Sequence, residues 1–280
     1  MPDWGEANNW MALAAILALV LSQLPPLVPR VWGSLRSGTV RISTQDSFAL
    51  SHHLGRLSVT LHVQIENTGA APIAVTKIDC VIRRVATGET EPGKTVWRFP
   101  ARAYHSEPNG NRLFIGTIRL KPDEHWQEVV HCYGSRSQSE EEEAQTIQDK
   151  FSVYIGSAID EKRDAGEEMT KRIEASDELV ALAKAFRQKM FDISKGDYEL
   201  FIAAIGQDGT ILGVTKSRFI LYENNITTMA SIADGYKYGE GVSDLVSVPP
   251  YRRFHVEPKL TTLGSDSTVR LEYDAFAKNR

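Results

Sequence analysis

Residues 57–78 read LSVTLHVQIENTGAAPIAVTKI, and this stretch decides the fold class of the chain. Apolar and polar residues alternate strictly over Leu57–Glu66. Successive side chains of a β-strand point to opposite faces, so this pattern predicts a strand with one buried face and one face in water. The Asn-Thr-Gly run at 67–69, followed by Pro72, predicts a turn directly after the strand.

A second strand is predicted after this turn. Ile73 and Val75 begin a new alternation, which resumes at Ile78 one position out of phase. A one-residue slip of this kind predicts a β-bulge near Thr76 and Lys77. We expect the two strands to form an antiparallel pair in a β-sandwich.

Further strand patterns recur at similar spacing, with turn chemistry between them. They cover residues 95–99, 113–120, 126–132, 198–205 and 218–222. Turns are predicted at 121–124 and 206–209. The 198–205 strand is apolar on both faces, which predicts a central position in its sheet. Repeated short strands favour a sandwich or barrel over a parallel α/β fold.

The 57–78 stretch resembles the strand-turn-strand unit of Ig-like sandwich domains, in which a long alternating strand ends in an Asn-x-Gly turn and pairs with its neighbour. In layout, the whole chain is similar to uncharacterised bacterial proteins with one N-terminal helix and such a sandwich. The resemblance implies a mainly β protein with an antiparallel Ig-like β-sandwich. It implies no activity and no site residues.

Residues 140–195 are different in character, with no Pro and many Ala, Glu, Lys and Arg residues. The clearest helix is predicted over 177–193, with Ser176 as its N-cap. One apolar stripe at helical spacing contains Leu179, Leu182, Ala183, Phe186, Met190 and Ile193. We expect this stripe to pack on the sheet; a partner-binding groove and a coiled-coil seam are the alternatives. Strands lie on both sides, so the pattern predicts one domain with a helical insertion.

The N-terminal run WMALAAILALVLSQLPPLV, residues 10–28, contains no charged residue over 19 positions. This length predicts one transmembrane helix, with Trp10 and Trp32 near the two interfaces. The first nine residues carry no Lys or Arg, and no good cleavage site follows the apolar core. We therefore expect a retained anchor rather than a cleaved signal peptide; a buried helix of the folded domain is the alternative.

Arg30, Arg36 and Arg41 follow the span, and no Lys or Arg precedes it. The positive-inside rule then predicts a single-pass protein of an inner or plasma membrane, with its N-terminus outside and its globular domain in the cytoplasm. These three arginines are the candidate contacts with the membrane surface.

The predicted domain order starts with a short tail (1–9), the transmembrane helix (10–28) and a juxtamembrane linker (29–46). A β-sandwich domain (47–246) follows, with its helical insertion at about 140–195. The polar C-terminal tail (247–280) ends the chain. Alternation of Val269, Leu271 and Tyr273 predicts a last short strand within that tail.

The charge distribution argues against nucleic acid as the main partner. The chain carries a net charge of −4, and residues 140–178 alone carry 13 acidic and 5 basic residues, a net of −8. Nucleic-acid binding usually needs a basic surface. The acidic segment is interpreted as a solvated surface, with an electrostatic docking site as the alternative.

No catalytic residue, cofactor site or metal site is predicted. The chain has no phosphate-binding loop, no nucleophile elbow and no C-x-x-C pair. His52 and His53 are adjacent, and neighbours on a strand point to opposite faces, so they do not form a metal site there. The same reasoning separates His131 from Cys132. Cys80 and Cys132 are expected to be buried thiols, or a single disulfide if the domain is exported.

From these observations we expect a membrane-anchored, non-catalytic interaction or scaffold module that binds a protein partner. The first alternative is a self-associating structural membrane protein, which would form homo-oligomers. A second is an enzyme whose site is assembled from distant residues. A third is an envelope binding protein with its domain outside the cell.

Overall fold

The computed structural model describes residues 39–85, 96–106, 111–167, 172–242, 255–265 and 267–278. The strands within them are β1 (Val40–Thr44), β2 (Ala49–His53), β3 (Arg56–Asn67), β4 (Ile73–Arg84), β5 (Val96–Ser106), β6 (Asn111–Phe114), β7 (Ile118–Leu120), β8 (His125–Tyr133), β9 (Gly196–Gly206), β10 (Ile211–Leu221) and β11 (Thr261–Gly264). The helices are α1 (Gln138–Asp164), α2 (Asp177–Met190), α3 (Glu223–Ala230), a 3₁₀ helix (Ser231–Tyr238) and α4 (Ser267–Lys278). The predicted N-terminal tail and transmembrane helix lie outside the described residues.

The strands form a mainly antiparallel sheet that curls into a half-barrel. Its strand order is β1-β3-β8-β5-β4-β9-β10-β11, and β2, β6 and β7 pair with β3, β5 and β4. Apolar side chains from both halves of the curled sheet meet in one buried cluster, the main core, which includes Val59, Leu61, Ile78, Phe99 and Ile202. The prediction of a mainly β antiparallel fold is therefore confirmed.

Strand β5 turns the corner between the two halves. Its first part, up to Pro100, pairs with β4, and its second part pairs with β8 and β6. The register against β8 shifts between Ala101 and Ala103. A proline and a bulge are the usual means by which a strand bends out of one sheet into another. The covalent chain of β5 thus joins the two halves along one side.

The predicted 57–66 strand is confirmed as β3, with buried and half-buried residues in strict alternation. The predicted bulge is also confirmed, because the register of β4 against β9 shifts between Val75 and Lys77. The hydroxyl of Thr76 donates to the carbonyls of Ile205 and Gly206 at this point, at 3.3 and 2.9 Å.

The predicted pairing of these two strands is wrong. β3 pairs with β1, β2 and β8, whereas β4 pairs with β5, β7 and β9. The buried Asn67 side chain fixes the crossing between them by donating to the carbonyls of Ala71 and Leu120, at 2.9 and 3.2 Å. Alternation identifies the buried face of a strand, but it does not identify the neighbouring strand.

The later strands lie where they are predicted, but one predicted strand is divided into two. The 113–120 pattern splits into β6 and β7, which pair with different strands. The 198–205 strand is confirmed as β9, and it lies between β4 and β10, as expected for a strand buried on both faces. The 206–209 turn joins β9 to β10.

Residues 255–264, here called the closing segment, join the two open edges of the half-barrel. Leu50 and Val256 exchange backbone hydrogen bonds at 2.9 Å in both directions, and the N–H of Leu260 donates to the carbonyl of Asp46 at 2.6 Å. The segment then continues as β11, which pairs with β10. Backbone hydrogen bonds, together with the burial of Val256 and Leu260 in the main core, therefore close this side of the sheet.

The prediction of a strand over residues 269–273 is wrong, because these residues belong to α4. Val269 and Tyr273 are buried four positions apart on one helix face, and Leu271 is 69% exposed. The Tyr273 hydroxyl donates to Asp79 at 2.8 Å. At the other end of the chain, β1 lies within 29–46, the predicted linker, and pairs with β3. Within the described residues, no helix is both long enough and apolar enough to span a membrane.

Candidate functional site

Helices α1 and α2 lie between β8 and β9, where the helical insertion is predicted, and with the 3₁₀ helix they form a helical layer. α1 begins with a capping box: the Ser137 hydroxyl accepts the Glu140 N–H at 3.3 Å, and the Glu140 carboxylate accepts the Ser137 N–H at 2.8 Å. The hydrogen bond from the Ser137 backbone N–H to the Glu140 carboxylate is the largest cause of a lowered pKa of Glu140. The spacing Ser137-x-x-Glu140 is a sequence signal that marks this helix start.

The second helix, α2, begins as predicted, because the Ser176 hydroxyl accepts the Leu179 N–H at 3.4 Å. The expected packing of its apolar stripe on the sheet is found only for Ile193, which lies in the main core, and for Met190, which lies against Gly55 of the β2–β3 turn. Ala183 and Phe186 instead pack in a second core formed with α1 and the 3₁₀ helix. The other buried members of this second core are Leu54, Ala144, Ile147, Phe151, Ile155, Ala175, Ile232, Ala233, Tyr236 and Val242. The 27-residue helix α1 lies against the apolar stripe of α2, so most of that stripe contacts α1 rather than the sheet.

The outer face of the helical layer carries an open groove between α1 and α2, with a volume of about 700 Å³. Its lining residues are Asp149, Lys150, Val153, Tyr154, Ser157, Ala158, Glu161 and Leu179. Val153 is 69% exposed and Tyr154 is 42% exposed. Leu182 of α2 is a third exposed apolar side chain of the helical layer. Apolar side chains grouped in this way on a surface usually mark an interaction site.

The inner side of the helical layer meets the sheet at the β2–β3 hairpin turn, where both Leu54 and Gly55 have positive φ. A Cβ atom at Gly55 would lie 2.7 Å from the Cβ of Met190 and 2.9 Å from the carbonyl of Arg187. Only glycine fits against α2 at this position. Arg136 fixes the same turn by donating to the carbonyls of His53 and Leu54, at 2.9 and 3.1 Å.

His52 is buried at this junction. Its Nδ1 accepts the N–H of Gly55 at 3.3 Å, so Nδ1 carries no proton and Nε2 donates to the Met229 carbonyl at 2.8 Å. Burial lowers the pKa of His52 to about 4. His53 lies beside Gln148, with 3.4 Å between its Nδ1 and the amide nitrogen of Gln148. The described residues hold no group of three or more His, Cys, Asp or Glu side chains that could bind a metal ion.

A smaller cavity of about 350 Å³, the junction cavity, opens beside the same turn. It is lined by Gly55, Arg56, Leu57, Val96, Trp97, Arg98, Phe99, Gly134, Ser135, Arg136, Met190 and Asp192. The Trp97 indole N–H donates to Asp192 at 2.8 Å. Arg56 donates from its Nε to the Gly134 carbonyl at 2.6 Å. Sequence reasoning did not identify this site, because its residues come from four separated segments.

Cys80 and Cys132 lie in the main core, with their sulfur atoms 3.3 Å apart and both side chains fully buried. The hydrogen bond to Cys132 and burial raise the pKa of the Cys80 thiol. His131 points to the other face of β8, where its Nδ1 lies 3.0 Å from the Thr60 hydroxyl. The histidine and the cysteine therefore do not form a nucleophile pair.

A charged network holds α4 on the outer face of the sheet. The ammonium of Lys216 lies 2.8 Å from the Glu199 carboxylate and 2.9 Å from that of Glu272, and Arg83 contacts both carboxylates. Burial opposes the charge of Glu199, but hydrogen bonds from Lys216 and Arg83 outweigh burial and lower its pKa. We interpret this network as structural support for α4.

Of the candidate membrane-surface arginines, the structure describes one. Arg41 lies on β1 with an exposed side chain, 3.5 Å from the Glu66 carboxylate. Arg30 and Arg36 lie outside the described residues, so the structure does not place the three together.

Comparison of the chain with protein-family models, with curated proteins and with solved structures finds no match. The candidate site therefore rests on the geometry of this chain alone.

Proposed function

We propose that the protein is a non-catalytic interaction module whose helical layer binds a basic, amphipathic helix of a partner protein. The groove between α1 and α2 carries this proposal, because it combines an open volume of about 700 Å³ with exposed apolar side chains. Helix-in-groove binding places apolar anchors spaced three or four residues apart into such a surface.

The shape of the groove suits a helix. Ser157 and Ala158 lie one turn beyond Val153 and Tyr154 on α1, and these small side chains leave room for a close approach. Leu179 of α2 forms part of the opposite wall. The anchors of a partner helix would contact Val153 and Tyr154, and its backbone would pass over the small residues.

The charge of the helical layer selects the partner's chemistry. Residues 140–178 carry a net charge of −8, and Asp149 and Glu161 line the groove against one lining cation, Lys150. Complementary charge accelerates association and excludes acidic partners. Basic residues flanking the apolar anchors are therefore the second requirement for the partner helix.

The half-barrel serves in this proposal as the rigid support of the helical layer. Its placement in the Ig-like β-sandwich class is part of the proposal, and it is supported by the two halves of the antiparallel sheet that face each other across the main core. The apolar run of residues 10–28 supports a membrane tether, and Arg30, Arg36 and Arg41 support a cytoplasmic orientation.

The test uses the full chain in detergent micelles and a fluorescent Leu/Lys peptide of about 18 residues, long enough for five helical turns. A peptide of the same composition, scrambled so that its leucines surround the helix, is the control ligand. Fluorescence anisotropy is expected to show tighter binding of the amphipathic peptide, and added salt is expected to weaken it. Val153→Glu is expected to weaken binding at least about tenfold.

Leu271→Glu is the matched control variant, since Leu271 of α4 has the same exposed fraction as Val153, 69%, and lies outside the helical layer. This substitution is expected to leave the affinity unchanged. Equal affinity for both peptides, or equal weakening by both substitutions, would overturn the proposal.

A further inference from the structure

The last residues of β10 have one unpaired edge. β10 pairs with β9 as far as Leu221, but its pairing with β11 ends at Arg218. Among the residues that the structure describes, Phe219, Ile220 and Leu221 therefore have no strand on their second side. The N–H and C=O groups along an unpaired edge are a template on which another extended chain can pair.

A cavity of about 450 Å³, the edge cavity, opens beside these residues. It is lined by Arg218, Phe219, Ile220, Tyr222 and Asn225 on one side and by Glu257, Pro258, Lys259 and Thr261 on the other. The closing segment forms the second wall, because before Thr261 it diverges from β10 and forms a bridge to Ser47 through Lys259. The volume lies within the usual range for ligand sites.

Two large apolar side chains beside this edge are exposed. Ile220 is 42% exposed, and Tyr222, which directly follows β10, is 61% exposed. Residues two positions apart on an extended chain point to the same side, so these two side chains form one strip of apolar surface. Apolar side chains of an added strand would pack against this strip as cross-strand pairs.

The lining charges are separated along the cavity. Arg218 is paired with Asp197 at 3.0 Å, so its charge is compensated. Lys259, two residues before the start of β11, has no ion-pair partner in the part of the chain that the structure describes. Glu257 lies farther from β11, and its carboxylate contacts His255 at 2.8 Å. The end of the cavity next to β11 is therefore positive.

Two further carboxylates lie close to the cavity but do not line it. Glu223 pairs with Lys195 at 2.7 Å. Asp46 contacts the closing segment through its backbone carbonyl, which accepts the N–H of Leu260. Lys259 is thus the lining cation that a ligand anion can reach.

We propose that the edge cavity binds the C-terminal residues of an extended peptide, which pairs antiparallel with β10 and places its terminal carboxylate at Lys259. An antiparallel chain opposite residues 219–222 runs toward Thr261, where β11 already occupies the edge of β10, so the added chain has to end there. A parallel chain would place its terminal ammonium beside the same lysine. Strand addition and capture of a terminal carboxylate are both established modes of peptide recognition.

This site is separate from the α1–α2 groove and takes a different ligand. The probe is the peptide Gly-Thr-Val-Thr-Val with fluorescein at its N-terminus and a free C-terminal carboxylate. It is added to the full chain in detergent micelles and followed by fluorescence anisotropy. We expect a Kd on the order of 0.1 mM.

Two control peptides separate the two parts of the proposal. The C-terminal amide of the same peptide has no negative charge at its end, and it is expected to bind at least about threefold more weakly. A peptide that is N-methylated at its two central residues has lost two N–H donors, and it is expected to bind at least about tenfold more weakly.

Lys259→Gln is expected to remove the preference for the carboxylate over the amide, since the charge that distinguishes them is gone. Lys184→Gln, which removes the same charge from an exposed position on α2, should keep the preference. Hydrogen exchange should show added protection at residues 219–221 when the carboxylate peptide is bound, because paired N–H groups exchange slowly.

The proposal is overturned if the original chain binds the carboxylate and the amide equally, if Lys259→Gln keeps the preference, or if residues 219–221 gain no protection. Circular dichroism of both variants, unchanged from that of the original chain, is expected to show that the fold is retained.

Discussion

The two buried interfaces of this protein differ in chemistry. The main core between the halves of the sheet is formed by apolar side chains, with Cys80 and Cys132 at its centre. The interface of the helical layer with the sheet buries His52 and Arg136 in addition to apolar groups. Three buried polar atoms without a partner among the described residues are also found there: Arg136 Nε, Arg187 Nε and Tyr236 OH.

This difference in the chemistry of the two interfaces predicts a difference in their local stability. Apolar burial stabilises a core without any demand for directional partners, whereas each buried polar group without a partner costs about 1–3 kcal/mol. We therefore expect the helical layer to unfold at a lower free-energy cost than the sheet, and the candidate groove and the junction cavity both lie on its side of the molecule. Binding surfaces are commonly found in regions of lower local stability.

The largest expected effects come from removing one phenyl ring from each core. Phe99→Ala in the main core should lower the free energy of unfolding by about 3–5 kcal/mol for the whole chain. Phe186→Ala in the second core should release the helical layer alone. Hydrogen exchange in mild denaturant is the measurement, with protection followed separately for 138–190 and for β3 and β9. Loss of protection in the strands of Phe186→Ala would show that the two cores unfold together.

Oxidation of Cys80 and Cys132 provides a second test of the difference between the two cores, because both cysteines lie in the main core. We expect refolding in oxidised glutathione to join Cys80 to Cys132: the two thiols lose two protons and two electrons, and glutathione disulfide is reduced to two thiols. By the chain-entropy argument, the bridge should stabilise the protein by about 4 kcal/mol. Mass spectrometry and urea unfolding measure the two effects. The Cys80→Ala, Cys132→Ala double variant should show neither, and two thiols still titratable after refolding would contradict the prediction.

A fall in pH is expected to destabilise the interface between the helical layer and the sheet, where His52 is buried, before it destabilises the main core. The folded-state pKa of His52, about 4, lies below its unfolded value of about 6.5, so the unfolded chain binds the extra proton between these values. The contribution of neutral His52 to the free energy of unfolding is therefore fully present above about pH 6.5. About 3 kcal/mol of this contribution is lost as the pH falls to about 4. Protonation of Nδ1 would also place two donors face to face at Gly55.

Urea unfolding of the original chain and of His52→Gln, measured from pH 4 to pH 7.5, tests this prediction. The variant should be less stable at pH 7.5 but should depend less on pH. His125→Gln, at an exposed position on β8, is the control and should keep the original pH dependence. Parallel curves for the original chain and His52→Gln would contradict the assignment.

Local features of the fold could be predicted from the sequence, because their signals lie within a few residues. The β3 alternation, the bulge at 76–77 and the Ser176 cap are of this kind. The Ser137-x-x-Glu140 spacing is an equally local signal for the start of α1, although the predicted helical insertion begins only at residue 140.

The errors have physical reasons. Val269 and Tyr273 are four residues apart, a spacing that fits one face of a strand and one face of a helix equally well, and only the exposed Leu271 distinguishes them. The neighbours of β3 and β4 depend on the curl of the whole sheet. The junction cavity combines residues as distant in sequence as Arg56 and Asp192, and no local pattern records that proximity.

The two sides of the half-barrel also have different mechanical properties. On one side, β5 runs through both halves, so they cannot separate there without breaking the strand. On the other side, the closing segment holds the edges by noncovalent contacts, which are the backbone hydrogen bonds between Leu50 and Val256 and the burial of Val256 and Leu260 in the main core. The domain therefore has a covalent hinge on one side and a noncovalent seam on the other, and we expect the seam to open first under tension. The direction in which a tether or a partner pulls on the chain thus decides whether the load falls on the strong side or on the weak side.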